Sequence, residues 1–476
     1  MSITRFKHLD TEDIRFFRET LGPTNVATRW EDLINYSHDE TPGMFDHHTP
    51  EAVVKPSSAG EIQAIVRYCF QQSIPVTPRG AGSGLSGGCI PAYGGVVLSL
   101  ERMNRVLEVD TENMVVVVEP GVITEDINRT LKPLGLFYAG YPMSVETCQI
   151  GGNVAENAGG GRAVKYGVTG TYVRGIECIT GVGERVCFGG KTLKDVSSYD
   201  VVHLLVGSEG TLGIITKIVL KVIPFPRYRA VLLIPFHTDR EAVIFSRCIM
   251  QEMGYIPSAV EFMNRKSLEF AYRFISQEYP YPDAGAHLLV EVDGREEEAV
   301  FQEYQGIGER AYERGGYEVF VADNATSIEE IWKVRRAIPE AVHMTLPLEV
   351  NEDVSVPVGA VYAFLQEVVQ LCDAHGLISP VYGHLGDGNL HVTLAPRSPD
   401  DWEGTDTEET IRESFYRRVL MLGGALSGEH GVGLKRRKSL SLFYGREEIA
   451  LLRRIKAAFD PAGILNPGKM LPDEET

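Results

Sequence analysis

Hydrophobic positions change their rhythm part-way along this chain. In the first half, short β-branched runs alternate with glycine-rich stretches. Segments 51–56 and 74–79 read as strands on either side of a helix over 59–72, where Ile62, Ile65, Val66 and Cys69 recur at helical spacing. Segments 96–100 and 114–119 read as further strands, and 214–224 alternates until Pro224 and Pro226 close it. From Arg229 onward the segments lengthen and carry more charge. Helices are predicted over 241–253, 264–278 and 296–314, with strands over 286–292 and 318–322 falling between them. That alternation predicts a second α/β or α+β domain. Stretch 398–409 is acidic and polar and reads as a surface loop. After Ser427 glycine-rich motifs return, and the chain ends in AFDPAGILNPGKML, with turns at Pro461, Gly463 and Pro467.

Length and charge narrow the classes. A chain of 476 residues is long enough for two or three domains, and 43% hydrophobic with 23% charged residues is the composition of a soluble globular protein. No apolar run is long enough to span a bilayer, and MSITRFKHLD lacks the apolar core of a secretory signal, so a cytoplasmic location is expected. A net charge of −19 argues against nucleic acid as a partner, because phosphate binding needs a basic surface. It also means that an anionic substrate needs positive charge gathered locally, through a metal or arginines. The seven cysteines (Cys69, Cys89, Cys148, Cys178, Cys187, Cys248 and Cys372) form no CxxC or CxxxC cluster. Electrons taken from a substrate therefore cannot leave through an iron–sulfur cluster carried in this chain, and the odd count fits reduced thiols.

Four glycine-rich segments stand out in the first half: RGAGSGLSGG from Arg79, IGGNVAENAGGG from Ile150, KYGVTG from Lys165 and GSEGTLGII from Gly207. Glycine lets the backbone approach a ligand closely and lets successive N–H groups point at one phosphate. Two such loops suit a diphosphate. Neither is a Walker A loop, and neither gives a clean GxGxxG with its acidic residue. In the second half, His384 and His391 in VYGHLGDGNLHV, with Glu429 in SGEHGVG, are ligand types for a divalent transition metal. On one continuous strand these two histidines would face opposite sides, but Gly386-Asp387-Gly388-Asn389 offers turn chemistry that brings the imidazoles together. A strand histidine is more often a hydrogen-bonded core residue, so spacing alone leaves both readings open. His430 supplies a titratable base directly after Glu429.

In order along the chain, PVTPRGAGSGLSGG, GGNVAENAGG, LLVGSEGTLGIITK, GHLGDGNLHV, SGEHGVG and FDPAGILNPGK resemble the motifs of the vanillyl-alcohol oxidase / p-cresol methylhydroxylase flavoprotein family. The similarity runs from about Val53 to Met470. It is closest to the branch holding FAD-linked D-lactate dehydrogenases, the glycolate oxidase D subunit and D-2-hydroxyglutarate dehydrogenase. The resemblance implies an α+β fold: a two-part FAD-binding domain, 1–224 completed by 427–476, with an inserted α/β cap (substrate) domain over 225–426. By the same resemblance Arg79, Gly80, Ala81, Gly82, Ser83 and Gly84 would surround the FAD pyrophosphate. Gly151, Gly152, Asn153, Asn157 and Gly159 would line the flavin on its other side. Glu209, Gly210 and Ile215 would hold the adenosine and ribitol portion, with Asn466 near the isoalloxazine ring. Covalent members carry a flavin-bonded histidine where this chain has Ser83, which implies a dissociable FAD.

His384, His391 and Glu429 match the metal ligands of that branch, and His430 matches its catalytic base. The metal's identity stays open, since the ligand set would suit zinc, manganese or iron. IWKVRR at 331–336 resembles the W-x-x-R segment, in which Arg335 would clamp the substrate carboxylate; Trp332 and Arg335 share a helix face. One departure bears on substrate. Members acting on hydroxyglutarate carry a lysine just before the D-V-S-V-P run, where this chain has Asn351, so a monocarboxylate such as D-lactate or glycolate is expected. Arg265 or Lys266 are the alternative cations for a dicarboxylate. The implied reaction is metal-assisted oxidation of a D-2-hydroxy acid to the 2-oxo acid, with hydride transfer to FAD. Electrons would pass to an external acceptor, an electron-transfer flavoprotein or an iron–sulfur subunit, through which the protein could also sit peripherally at a membrane. The rival readings are a flavin-dependent transferase related to alkylglycerone-phosphate synthase, against which the complete metal set and the W-x-x-R segment speak, and an FAD-carrying electron relay, against which the presence of His384, His391 and Glu429 speaks.

Overall fold

A computed structural model describes residues 6–41, 48–346, 349–397 and 405–473. The chain forms two compact units, one from 1–158, 168–224 and 430–476, the other from 159–167 with 225–429.

In the first unit, the strands Ala52–Val54, Val96–Ser99 and Val76–Arg79 run parallel, and Val26–Ala27 pairs antiparallel at one edge. The helix Ala59–Gln72 starts where Ser58 accepts from the Glu61 amide and stops at left-handed Ser73. Its buried stripe of Ile62, Ile65, Val66 and Cys69 packs with Phe17, Val54, Val76, Val96 and Leu98. Each such side chain contributes about 1.5–3 kcal/mol on leaving water. The C-terminal segment joins this core, as the Val76 amide donates to the Ile464 carbonyl and Ile464 and Leu465 are buried. A second sheet is antiparallel, in the order Val106–Asp110, Val115–Val118, Ile214–Lys221, Val173–Ile179 and Arg185–Gly189. The alternating run expected over 214–224 divides: after Lys221, a short piece Ile223–Pro224 pairs with Leu136–Phe137.

The second unit is built on an antiparallel sheet in the order Phe320–Ala322, Tyr228–Phe236, Ala286–Gly294, Ala259–Asn264, Val381–His384, Asn389–Pro396 and Val350–Ser355, with Leu377–Ile378 also joined to Asn389–Pro396. The helices Arg265–Phe274 and Ala325–Thr345 cover one face, where Leu268, Ala271, Trp332 and Ile338 pack with Met263, Leu289 and Tyr382. The loop expected over 398–409 is only partly in view, since 398–404 lie outside the described residues. From Thr405 the chain is helical, through Met421. Within it, Glu408 pairs with Arg412 one turn on.

Candidate active site

In the second unit, the strands Val381–His384 and Asn389–Pro396 form a hairpin in which His384 pairs with Asn389, and Tyr382 with His391. Cross-strand partners share a face, as do residues two apart, so both histidines project to the same side. The turn needs its glycine: Gly388 has φ +83°, and a Cβ there would come 2.1 Å from the Val356 carbonyl oxygen. The two imidazoles lie 5.5 Å apart, edge to face. Glu429 completes the convergence, its Oε1 3.3 Å from His391 Nε2 and 3.5 Å from His384 Nε2. His384 is 2% and His391 7% exposed, and His384 Nε2 has no hydrogen-bond partner among the described residues.

Two carboxylates outside this trio shape it. Glu261, on the strand Ala259–Asn264, faces His384 Nδ1 at 2.7 Å and accepts from Arg335 Nε at 2.8 Å. Burial alone would raise its pKa, but the charges of His384 and Arg335 outweigh burial and hold it at about 2. Burial likewise works against a charged His384, yet Glu261 and Glu429 win and lift its pKa well above the ordinary value. Burial would also raise Glu429, but the two histidines bring it well below the carboxylate range. The second carboxylate, Asp353, pairs with His391 in the sheet. Its Oδ2 accepts from Ser427 Oγ at 2.7 Å and from the Gly428 and Glu429 amides at 3.0 Å each, while Oδ1 accepts from Asn389 Nδ2 at 2.6 Å. Asp353 lies within 4.8 Å of ligand atoms on His391 and Glu429, but with both oxygens engaged it orients the Glu429 backbone.

Arg335 sits on the helix Ala325–Thr345, 3% exposed, with its guanidinium 4.9 Å above the Tyr382 ring. Trp332, one turn earlier, donates to Glu291, which also pairs with Arg162. Arg336 points elsewhere and pairs with Glu329. Asn351 lies on the same strand face as Asp353, opposite Thr393. Of the alternative cations, Arg265 is bound to the Pro282 carbonyl and Lys266 to Glu269. His430 directly follows Glu429 in the chain and opens the last segment of the first unit.

In the first unit, Arg79 ends the strand Val76–Arg79 and turns inward, donating to the His38 carbonyl at 2.6 Å, with Tyr36 under its guanidinium. Gly82 has φ +82°, and a Cβ there would strike Arg79. Gly80, Gly82, Ser83 and Gly84 are half-buried and Ala81 is exposed. A Cβ on Gly80 would touch Gln149 and come 3.8 Å from the Gly152 amide, so the first two glycine loops adjoin. The helix Ile150–Glu156 carries Gly151, Gly152 and Asn153 and ends on left-handed Asn157, whose side chain accepts from Gly170 N. Asn153 donates to Thr124. The fourth loop, from Gly207, docks on this helix, since the Gly207 and Glu209 amides donate to the Val154 and Ala155 carbonyls. A Cβ on Gly210 would meet Pro78, and Ile215 is buried in the antiparallel sheet. The Glu209 side chain accepts from the Val432 and Gly433 amides at 2.8 and 2.7 Å. Asn466 donates to the Gly88 and Glu209 carbonyls, both at 2.7 Å. Gly159, by contrast, belongs to the second unit.

The family described as FAD linked oxidases, C-terminal domain, matches residues 225–470, and the FAD binding domain family matches residues 50–189. The chain belongs to the FAD-linked oxidases. It falls in their 2-hydroxy-acid dehydrogenase branch, is an FAD-dependent oxidoreductase, and takes FAD as its cofactor. The chain is 36% identical over 453 residues to glycolate oxidase subunit GlcD of Bacillus subtilis, covering 94% of each chain. It is 35% identical over 476 residues to a D-lactate dehydrogenase of Anaerostipes hadrus, covering 99% of each. A crystal structure of p-cresol methylhydroxylase with substrate bound superposes with a TM-score of 0.78 at 17% identity, over 98% of this chain and 97% of that one, which establishes the α+β FAD-binding fold.

The cradle of this FAD-linked oxidase fits a polar cofactor. Ser86 Oγ, Gln149 Oε1, Glu156 Oε2 and Asn466 Oδ1 are buried without hydrogen-bond partners among the described residues, all on or beside the glycine loops and the C-terminal turn. The second unit's trio fits a divalent metal by its donor set and by His384 Nε2, which has no hydrogen-bond partner among the described residues. Sequence reasoning missed Glu261 and the role of Asp353. The available signal for Glu261 was a lone acid in the otherwise apolar and amide run AVEFMN. No helix among the described residues is long and apolar enough to cross a membrane.

Proposed function

We propose that this FAD-dependent oxidoreductase oxidises a D-2-hydroxy monocarboxylate, D-lactate or glycolate, to the 2-oxo acid with the help of a divalent zinc, manganese or iron ion. The observation that carries this reading is the convergence of His384, His391 and Glu429 beside a buried arginine. When bound, FAD supplies the hydride acceptor and the metal a Lewis acid for the hydroxyl. Arg335 binds the substrate carboxylate: its Nε is held by Glu261, which leaves the two terminal nitrogens for a bidentate pair. His430 takes the hydroxyl proton on its imidazole. Tyr382 and Trp332, both buried, keep water from the arginine. FAD is held non-covalently by Arg79–Gly84, Gly151–Asn153, Asn157, Gly159, Glu209, Gly210, Ile215 and Asn466, in a domain made of 1–224 and 427–476, with 225–426 as the substrate domain. Neutral Asn351 favours a monocarboxylate over D-2-hydroxyglutarate, and the engagement of Arg265 and Lys266 supports that choice. An electron-transfer flavoprotein or an iron–sulfur subunit receives the electrons. The free state of all seven cysteines supports a cytoplasmic setting.

The test is anaerobic bleaching of the flavin by a panel of D- and L-2-hydroxy acids, with protein as isolated, stripped of metal, and resupplied with zinc, manganese or iron. Metal-dependent bleaching by D-lactate or glycolate and not by D-2-hydroxyglutarate is expected. Equal bleaching after metal removal overturns the metal's role; preference for D-2-hydroxyglutarate overturns the substrate assignment.

A further inference from the structure

We propose that Glu261 is a positioning residue that fixes the metal ligand His384 and the carboxylate-binding Arg335 at once; this rests on the metal-assisted reading above. Its two oxygens divide the work. Oε1 lies 2.7 Å from His384 Nδ1, and Oε2 accepts from Arg335 Nε at 2.8 Å. Glu261 is 0% exposed and stands directly opposite His384 in the sheet. The backbone closes over this contact: a Cβ on Gly161 would come 2.6 Å from Glu261 Oε1 and 3.4 Å from His384 Nδ1.

A carboxylate only accepts, so Glu261 keeps a hydrogen on Nδ1 of His384 and leaves Nε2, beside Glu429, as the nitrogen that would give up its proton to a metal. The same carboxylate fixes the guanidinium plane above Tyr382 and sets the direction of its terminal nitrogens. One side chain thereby sets the spacing between the metal and the carboxylate site, which a 2-hydroxy acid must span with two adjacent carbons. A glutamine in its place offers a single acceptor. Its amide nitrogen would face either His384 Nδ1–H or Arg335 Nε–H, donor against donor. Facing His384, it favours the other tautomer, in which Nε2 carries the hydrogen and has no lone pair for a metal.

The test is zinc affinity of the metal-stripped flavoprotein, measured by chelator competition for wild type, His384→Ala, Glu261→Gln and Glu261→Asp, each checked for FAD content and far-UV circular dichroism. Glu261→Gln is expected to weaken zinc about 10–100-fold, the range for a lost outer-shell partner. Glu261→Asp, which keeps the charge, recovers part of that affinity. A merely space-filling role reverses this order, because glutamine is the better copy of shape, and that ranking overturns the proposal. Wild-type zinc affinity in Glu261→Gln, with binding lost in His384→Ala, overturns the role of Glu261 and leaves the trio standing. Unchanged affinity in His384→Ala overturns the trio and this proposal with it.

Discussion

Asp353→Asn probes the scaffold beneath the trio without touching a ligand. Asp353 is 0% exposed and accepts from Ser427, Gly428 and Glu429 on one oxygen and from Asn389 on the other. Asparagine keeps one acceptor. If that oxygen stays towards 427–429, the new amide nitrogen faces Asn389 Nδ2, and one buried donor left unmatched costs about 1–3 kcal/mol. The other three bonds lose their charge-assisted character, worth roughly 1 kcal/mol each when buried. Ser427 and Glu429 are half-buried and Gly428 is exposed, so water offsets much of that second loss. A destabilisation of about 3 kcal/mol follows, read as a shifted midpoint in urea unfolding, with zinc affinity falling alongside as Glu429 loosens. Arg336→Ala is the internal control. Its side chain is 40% exposed in a pair with Glu329, so a change within about 0.5 kcal/mol is expected. An Asp353→Asn midpoint as close to wild type as that of the control refutes the reasoning.

Two further outcomes are expected. His287 is 2% exposed, its Nδ1 has no hydrogen-bond partner among the described residues, and burial depresses its pKa from 6.5 to about 4. Its native form resists the proton that the unfolded chain accepts, so stability is whole above pH 6.5 and falls by about 3 kcal/mol as pH drops towards 4. His287→Leu should remove that share, and parallel stability–pH curves for the two proteins would contradict the assignment. With serine at position 83, acid precipitation should release all of the flavin into the supernatant; yellow colour retained in the washed pellet would show a covalent link.

How much was legible in the sequence depended on how local the cause was. The helix Ala59–Gln72 matches its expected bounds because its cap, apolar stripe and stop signal all lie within the segment. The hairpin that joins His384 to His391 was readable for the same reason: four residues of turn chemistry dictate it. Strand Tyr228–Phe236 was not singled out, and strand Phe320–Ala322 came out shorter than expected, since each is held by partners distant in sequence. The glutamate that organises the site was beyond reach on the same grounds. Glu261 meets His384 across 123 positions and Arg335 across 74, and no periodicity encodes such a contact. Glu209 shows the limit of a motif: GSEGTLG was readable as a loop, but not that its acid would bind the amides of Val432 and Gly433.

Charge ties these pieces together. In the second unit, the carboxylates of Glu261, Asp353 and Glu429 gather around the two histidines, with one buried guanidinium, Arg335, among them. Such an excess of negative charge is costly in a buried setting unless something offsets it. The field that lifts the proton affinity of His384 would also draw a divalent cation to the trio, where proton and metal would compete for the same Nε2. A bound cation would in turn make the site receptive to an anionic hydroxy acid, which a chain of net charge −19 would otherwise repel. On this argument the buried acids are not incidental to binding a carboxylate substrate: they would hold the cation that makes its approach favourable, and Arg335 would then fix its orientation.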